Sequence, residues 1–356
     1  MFYRLTGVYQ TDYAKDRALW PIPTDRWIAL LLLAIAIAAP FIFQVHYVAN
    51  YMLPWLIWSS AALALTLLMG IAGQLHFGFA AVMAIGAYSS IHLARFGVPF
   101  ELALLGAGLI SAVIGSIFGA AALRVKGLYL VMATLAMQYL VDWVIVNVPA
   151  ISGGAQATLR TPDVSFLFIP LESVWLYYMA LLWTVVVTLF VLNIKRSSYG
   201  RALVAVRDKD YAASIIGVSP FWYKLSAFFT SSFIGGISGA ILAFCYYQAV
   251  TPEQFGFHVS IQLVAMVLVG GLGSVVGAYL GAGFVLLLPM ILTNFVAGLG
   301  AMGILNVSAS LLAHIPLMAY GALIILFLLA EPLGLAKIYD NTRKYFLVWP
   351  FRHGQS

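Results

Sequence analysis

Apolar stretches long enough to cross a bilayer follow one another almost without pause from Trp27 to Ala330, and nothing else in the sequence restricts its fold as tightly. About 20 apolar residues wound as a helix match the thickness of the hydrocarbon core. Ten windows approach that character, near 27–46, 52–69, 78–94, 100–121, 127–147, 173–193, 224–245, 259–271, 275–296 and 310–330. The chain is 63% hydrophobic and only 8% charged, where a soluble domain carries about 25% charged residues. So few charges cannot cover a water-facing surface, which excludes a soluble enzyme and a disordered chain. A nucleic-acid reader is excluded too: the net charge of +6 is spread between apolar blocks, with no DNA-binding motif. The pattern predicts an all-α membrane protein of about ten transmembrane helices, with the lipid bilayer as its solvent. The first run follows a polar segment bearing Asp12, Lys15, Asp16, Arg17, Asp25 and Arg26, and exceeds the apolar core of a signal peptide. It is expected to remain in the membrane.

Charge fixes the orientation. With the N-terminus inside, sixteen of the 18 basic residues fall on inner segments and only Arg95 and Arg160 on outer ones, as the positive-inside bias requires. Both termini are therefore expected to be cytoplasmic, giving an N-terminal segment 1–26, a membrane domain 27–330 and a C-terminal tail 331–356. Two outer loops, 148–172 and 246–258, and an inner island, 195–223, are the largest segments between spans. The single cysteine, Cys245, allows no intrachain disulfide.

Catalytic and metal chemistry have little to stand on. No phosphate-binding G-x-x-x-x-G-K-[ST] loop, H-E-x-x-H, C-x-x-C or G-x-S-x-G occurs, and the six histidines are dispersed. A non-catalytic chain without metal or cofactor is expected. Asp142 lies near the outer end of its span and reads as a structural group. Glycines interrupt two apolar stretches, Gly70, Gly73 and Gly78 in one and Gly270, Gly271 and Gly273 in the other, each before a G-A-Y element. Paired interruptions point to an internal repeat and a substrate path, with Gln74, His76 and Thr134 as residues that could line it. The competing reading is that the glycines let helices pack closely, with Gln74 and His76 bonded to neighbours. Gln262 and His314 read as interhelical hydrogen-bond partners. Trp175, Tyr177, Tyr178, Tyr345 and Trp349 read as interfacial anchors.

The inner island, KRSSYGRALVAVRDKDYAASIIGVSPFWY, is the most informative segment. Its alanines predict a helix from Gly200 to about Ile216, capped by Gly217 and stopped by Pro220. Ala202, Val206, Ala213 and Gly217 then share one side, while Arg207, Asp208 and Asp210 stand on others, available for ion pairs with a partner. A solvated loop with an incidental helix is the alternative.

From Arg201 to Val218 this segment, R-A-L-V-A-V-R-D-K-D-Y-A-A-S-I-I-G-V, resembles the cytoplasmic coupling segment of LivM-type permeases of ATP-binding-cassette importers, the branched-chain amino-acid/urea permease family. Gly70-Ile-Ala-Gly-Gln-Leu-His-Phe-Gly78 with Gly86-Ala-Tyr88, Arg124-Val-Lys-Gly-Leu-Tyr129 with Thr134-Leu-Ala136, Ser152-Gly-Gly154, Val269-Gly-Gly-Leu-Gly-Ser274 with Gly277-Ala-Tyr-Leu-Gly-Ala282, and Glu331-Pro-Leu-Gly334 resemble further elements of that family, in order along residues 55–335. The resemblance implies a permease subunit that forms part of the path for branched-chain or related amino acids in a bacterial or archaeal cytoplasmic membrane. It implies ATPase coupling through Arg201, Ala202, Val206, Arg207, Asp208, Asp210, Ala213 and Gly217. It also implies two ATPase subunits, a second permease, and an external solute-binding protein docked on the outer loops. His76, Phe79 and Val82 depart from the family pattern, and Asp210 stands where Glu is usual. Urea or a short amide is thus an alternative cargo, and a stand-alone secondary carrier is the alternative from another class.

Overall fold

A computed structural model describes residues 23–301 and 334–348, except 126, 155–156, 163, 167–168 and 171–172, together with 318, 321, 322, 325 and 329. Its helices are α1 (Pro23–Ile42), α2 (Val45–Ile71), α3 (Phe79–Arg95), α4 (Phe100–Ala122), α5 (Leu128–Asn147), α6 (Ser173–Arg196), α7 (Ser198–Asp208), α8 (Asp210–Ile215), α9 (Pro220–Tyr247), α10 (Phe257–Gly270), α11 (Val275–Ala301) and α12 (Leu335–Val348). Eight helices among the described residues are long and apolar enough to cross a membrane. α3, at 17 residues, is shorter and buried over most of Phe79–Ile91. The expected span at 310–330 lies largely outside the described residues, as do His314 and Trp349. The chain is an all-α, multi-pass membrane protein, because only a helix satisfies every backbone group within its own segment in hydrocarbon.

The core is built on α2, α3, α4 and α9. Hydrophobic force cannot drive helices together in lipid, so close backbone packing has to. A methyl group on Gly86 of α3 would sit on the carbonyl of Gly236 in α9, and one on Gly239 would meet the carbonyl of Met83. Ser60 of α2 and Ser238 of α9 bond at 2.9 Å, and the Trp183 indole of α6 donates to Ser238 at 3.0 Å.

One aromatic pair departs from the sequence reading. Pro40 interrupts α1 and has no N–H to offer the carbonyl of Ala36, four residues back. The Tyr177 hydroxyl of α6 donates to that carbonyl at 2.8 Å, and Tyr178 donates to Ile37 at 3.0 Å. Tyr177 is 1% exposed. It satisfies the carbonyl that Pro40 leaves without its helical donor and is buried in doing so, rather than standing at the surface as an anchor.

Both expected outer loops meet at one end of the bundle. Strands β1 (Leu159–Arg160) and β4 (Ala249–Val250) pair antiparallel across them, and β2 (Ser165–Phe166) pairs with β3 (Ile169–Pro170). Arg95 donates to the carbonyl of Arg160 at 2.9 Å, and the His92 ring contacts that of Ile151 at 2.7 Å. α12 packs on α10 and α11, and its Arg343 pairs with Asp25 of α1 at 2.6 Å.

Candidate functional site

The first interrupted span does not break where its first glycine stands. α2 continues through Gly70 as a wide π turn to Ile71, and residues 72–78 then run without helix to Phe79. Gly73 holds φ +69°, and Gly78 is the N-cap of α3. This break lies at mid-length of its neighbours: Gly235 of α9 packs on Phe79, and Gly78 on the carbonyl of Thr134 in α5. Irregular backbone at that depth needs protein partners, and it has them. Phe77 N–H donates to Thr134 Oγ1 at 3.1 Å, Gly78 N–H to His76 Nδ1 at 3.1 Å, Ala80 N–H to Ser260 Oγ at 2.9 Å and Ala81 N–H to Gln138 Oε1 at 2.9 Å.

Gln138, absent from the sequence-predicted set, is the hub. Its Oε1 also accepts from Ser260 Oγ at 2.8 Å, and its Nε2 donates to the carbonyl of Phe255 and to Asp142 Oδ1, each at 2.9 Å. Both donors and both lone pairs of the amide are thereby used. Asp142 is accounted for as its partner. The signal was available: Thr134, Gln138 and Asp142 recur every four residues, one stripe along α5. At the start of α3 the N–H groups of Gly78, Ala80 and Ala81 are taken by side chains rather than left to an anion.

Among the three predicted path residues, Gln74 is 6% exposed, Thr134 2% and His76 1%. Gln74 donates to Ala72's carbonyl at 3.1 Å, and Thr134 serves the break as above. His76 accepts through Nδ1, which places its hydrogen on Nε2; that atom is buried beside the Phe79 and Phe228 rings without a hydrogen-bond partner. In this arrangement all three hold the break together. The Gln262 side chain makes no hydrogen bond among the described residues.

The second break is shorter and differently made. α10 ends at Gly270, Gly271 and Gly273 take φ +106° and +79°, and α11 starts at Val275 with Ser274 Oγ accepting from Gly277 N–H at 3.0 Å. The two breaks touch: a methyl on Gly70 would fall on the backbone nitrogen of Gly273. Gly334, before α12, packs equally closely on Gly271. Gly70 and Gly270 are thus helical residues of close approach, and Gly73, Gly271 and Gly273 supply the turns.

The inner island reaches both breaks. It is two helices rather than the expected one, because Lys209 leaves helical geometry (φ −150°, ψ 89°) between α7 and α8. Ser197 caps α7 through Gly200 N–H at 3.1 Å. Tyr199 bonds to Ser226 of α9 at 2.7 Å and stacks on Tyr223, and Asp210 pairs with Lys224 at 3.8 Å. Leu203, Val206 and Ala213 are buried against the bundle, and Ala202 is half-buried. Gly217, at φ +87°, is exposed, as are Arg201, Asp208, Lys209, Tyr211, Ile215 and Ile216. The charges expected to stand free are engaged. Arg207 donates to the carbonyl of Gly70 at 2.7 Å and pairs with Asp208 at 2.9 Å, its stem covering Gly73. Lys195, at the end of α6, donates to the carbonyl of Gly273 at 2.8 Å. Sequence reasoning assigned Lys195 no site, since nothing local distinguishes it from a positive-inside lysine.

A Gly73→Ala substitution is expected to push the Arg207 side chain off Gly70, because the new methyl is both strained by the positive φ and set against the Arg207 Cγ. Thermal unfolding of the purified chain should show destabilisation by about 1–3 kcal/mol; Gly97→Ala, also at positive φ but with nothing near its Cβ, should show the backbone part alone.

These features define a polytopic helical membrane protein in which two interrupted spans meet and the 195–223 segment at one end of the bundle bonds to both. The chain belongs to the branched-chain amino acid transport system permease component family, whose model matches residues 47–330. It is 31% identical over 278 residues to the high-affinity branched-chain amino acid transport system permease protein LivM of Salmonella typhimurium, covering 71% of this chain and 65% of that protein. LivM of Escherichia coli K12 is 31% identical over 276 residues, covering 70% and 64%. LivH of Escherichia coli K12, a permease protein of the same transport system by name, is 24% identical over 62% of this chain and 76% of its own length. The match thus spans about two thirds of the LivM proteins, at 65% and 64%. No solved structure matches the chain.

Proposed function

We propose that this chain is the membrane-embedded permease subunit of an ATP-binding-cassette importer in a cytoplasmic membrane, forming part of the path for branched-chain or related amino acids. It has ten spans with both termini cytoplasmic, and a separate pair of ATPase subunits drives it. A second permease completes the path, and a solute-binding protein docks on the paired outer loops. The observation that carries this reading is the α7–α8 segment. Its inner side is tied through Arg207 to the first helix break, which touches the second, and its outer side leaves Asp208, Lys209, Tyr211, Ile215 and Ile216 exposed. An ATPase gripping that outer side could bias the bundle only through such ties, since an effector shifts an equilibrium by its differential affinity for two states. The asymmetry of basic residues and the Asp25–Arg343 pair support the orientation.

Reconstitution with its ATPase, second permease and binding protein in proteoliposomes should give ATP-dependent uptake of leucine, isoleucine or valine. Ile215→Asp with Ile216→Asp should abolish both co-purification of the ATPase and uptake. ATP-dependent uptake of urea or acetamide alone would move the cargo to the alternative. Accumulation by vesicles holding only this chain would overturn the importer reading in favour of a secondary carrier.

A further inference from the structure

The two cations at the inner end do something that docking of an ATPase does not require: each bonds to a backbone carbonyl of a different helix break, and the two breaks are in backbone contact. We propose that Arg207 and Lys195 are positioning residues of a single joint. Through it the inner island, from Lys195 at the end of α6 to the α7–α8 helices, controls both interrupted spans at once, rather than each span having its own hinge. This rests on the permease reading for its consequence in transport, but the joint itself stands on geometry.

Three observations converge. Arg207 donates to Gly70 at 2.7 Å, in the last turn of α2, and Lys195 to Gly273 at 2.8 Å, just beyond α10. The Gly70 carbonyl is one of those a helix end leaves unpaired at its partial negative charge, and a cation there answers both; the Gly273 carbonyl belongs to the turn between α10 and α11. The second observation is that no side chain separates the breaks: Gly70 meets Gly273 backbone to backbone, so neither can move far without the other. Third, the flanking elements are fastened so that the cations transmit motion instead of merely swinging. Tyr199 and Asp210 hold the island to α9, Gly200 of α7 packs on the carbonyl of Ile194, and Gly334 seats α12 on Gly271. Asp340 of α12 is the acidic group acting on Lys195, and Asp208 is the one on Arg207. A lysine and an arginine here are not spare surface charge.

The test is hydrogen–deuterium exchange on the whole chain purified in detergent, which does not depend on transport. Arg207→Gln should speed exchange roughly tenfold across 70–78 and also across 271–274, where it makes no contact. Lys195→Gln should do the same in reverse, loosening 70–78 as well as 271–274. Exchange in α4 and the middle of α9 should stay as in the wild type. Arg207→Lys, which keeps a cation for the Gly70 carbonyl, should restore slow exchange at both breaks, which also identifies the effect if Arg207→Gln proves too unstable to purify. Loosening confined to the break nearest each substitution, or none at either, overturns the joint. In the reconstituted transporter Arg207→Gln should leave the ATPase bound and raise the ATP hydrolysed per solute moved. A wild-type complex without ATP-driven uptake would remove the permease reading while leaving the exchange result to decide the joint.

Discussion

Replacing Gln138 by methionine is expected to unseat α3. The two side chains are of similar length and volume, so packing is nearly preserved and the loss is one of hydrogen bonds. Gln138 serves four groups, the N–H of Ala81, the hydroxyl of Ser260, the carbonyl of Phe255 and the carboxylate of Asp142. Ser260 keeps its bond to Ala80, and Asp142, half-buried, can turn toward solvent or headgroups. Ala81 N–H and the Phe255 carbonyl cannot move, since both belong to backbone fixed by its neighbours. A buried group left without a partner costs about 1–3 kcal/mol. Hydrogen bonds between membrane helices measure less, near 0.6 kcal/mol on average, because their unfolded reference finds new partners. The upper range applies here because two backbone groups, one in the first turn of α3 and one just ahead of α10, are orphaned together. Purified Gln138→Met protein should unfold several degrees below wild type. Asn147→Ala, which removes only a bond to Trp143 at the exposed end of α5, should stay within about 0.5 kcal/mol. A Gln138→Met protein as stable as wild type would show that Gln138 is not the group holding α3.

How much of this was legible in the sequence depends on what decides each feature. Spans are decided by composition, because a bilayer forces the backbone to satisfy itself, and eight of the expected spans have a helix of spanning length at or near their windows. The two outer loops could be placed on one face from charge alone, and they pair there through β1 and β4. The glycines flagged trouble in the right two spans, but not its nature. Gly70 was read as a breaker, whereas it is helical and small so that Gly273 can approach; sequence spacing does not say which backbone will come near. The inner island read as one helix because its alanines favour helix throughout. Anchoring at Tyr199 and Asp210 overrides that propensity at Lys209. Arg207 and Asp208 were expected to await a partner, and the protein's own carbonyl claims the arginine. Tyr177 followed the rule for aromatic residues near span ends and broke it for a reason visible only in three dimensions, the carbonyl that Pro40 leaves vacant.

The joint between the interrupted spans is also where a single added side chain should do most harm. Valine at Gly70 places its branched Cβ on the nitrogen and Cα of Gly273 and near the carbonyl carbon of Leu272. These are backbone atoms, so no rotamer change relieves the overlap, and one span must shift. Overpacking of a buried site costs typically about 1–3 kcal/mol, and the rigidity of both partners puts this case at the top of that range or beyond. The shift also carries the Gly70 carbonyl away from Arg207 and the Gly273 carbonyl away from Lys195, so the inner segment loses both its bonds with neither cation altered. Gly70→Val protein should therefore show a lower unfolding temperature, fast exchange at both breaks and loss of solute uptake. A glycine elsewhere supplies the control. Gly298, in α11, has open space around its Cβ, so alanine there should be neutral or gain about 0.5–1 kcal/mol through helix propensity. If Gly70→Val retained wild-type stability and uptake, the two spans could not be in the contact on which the inner segment's grip depends.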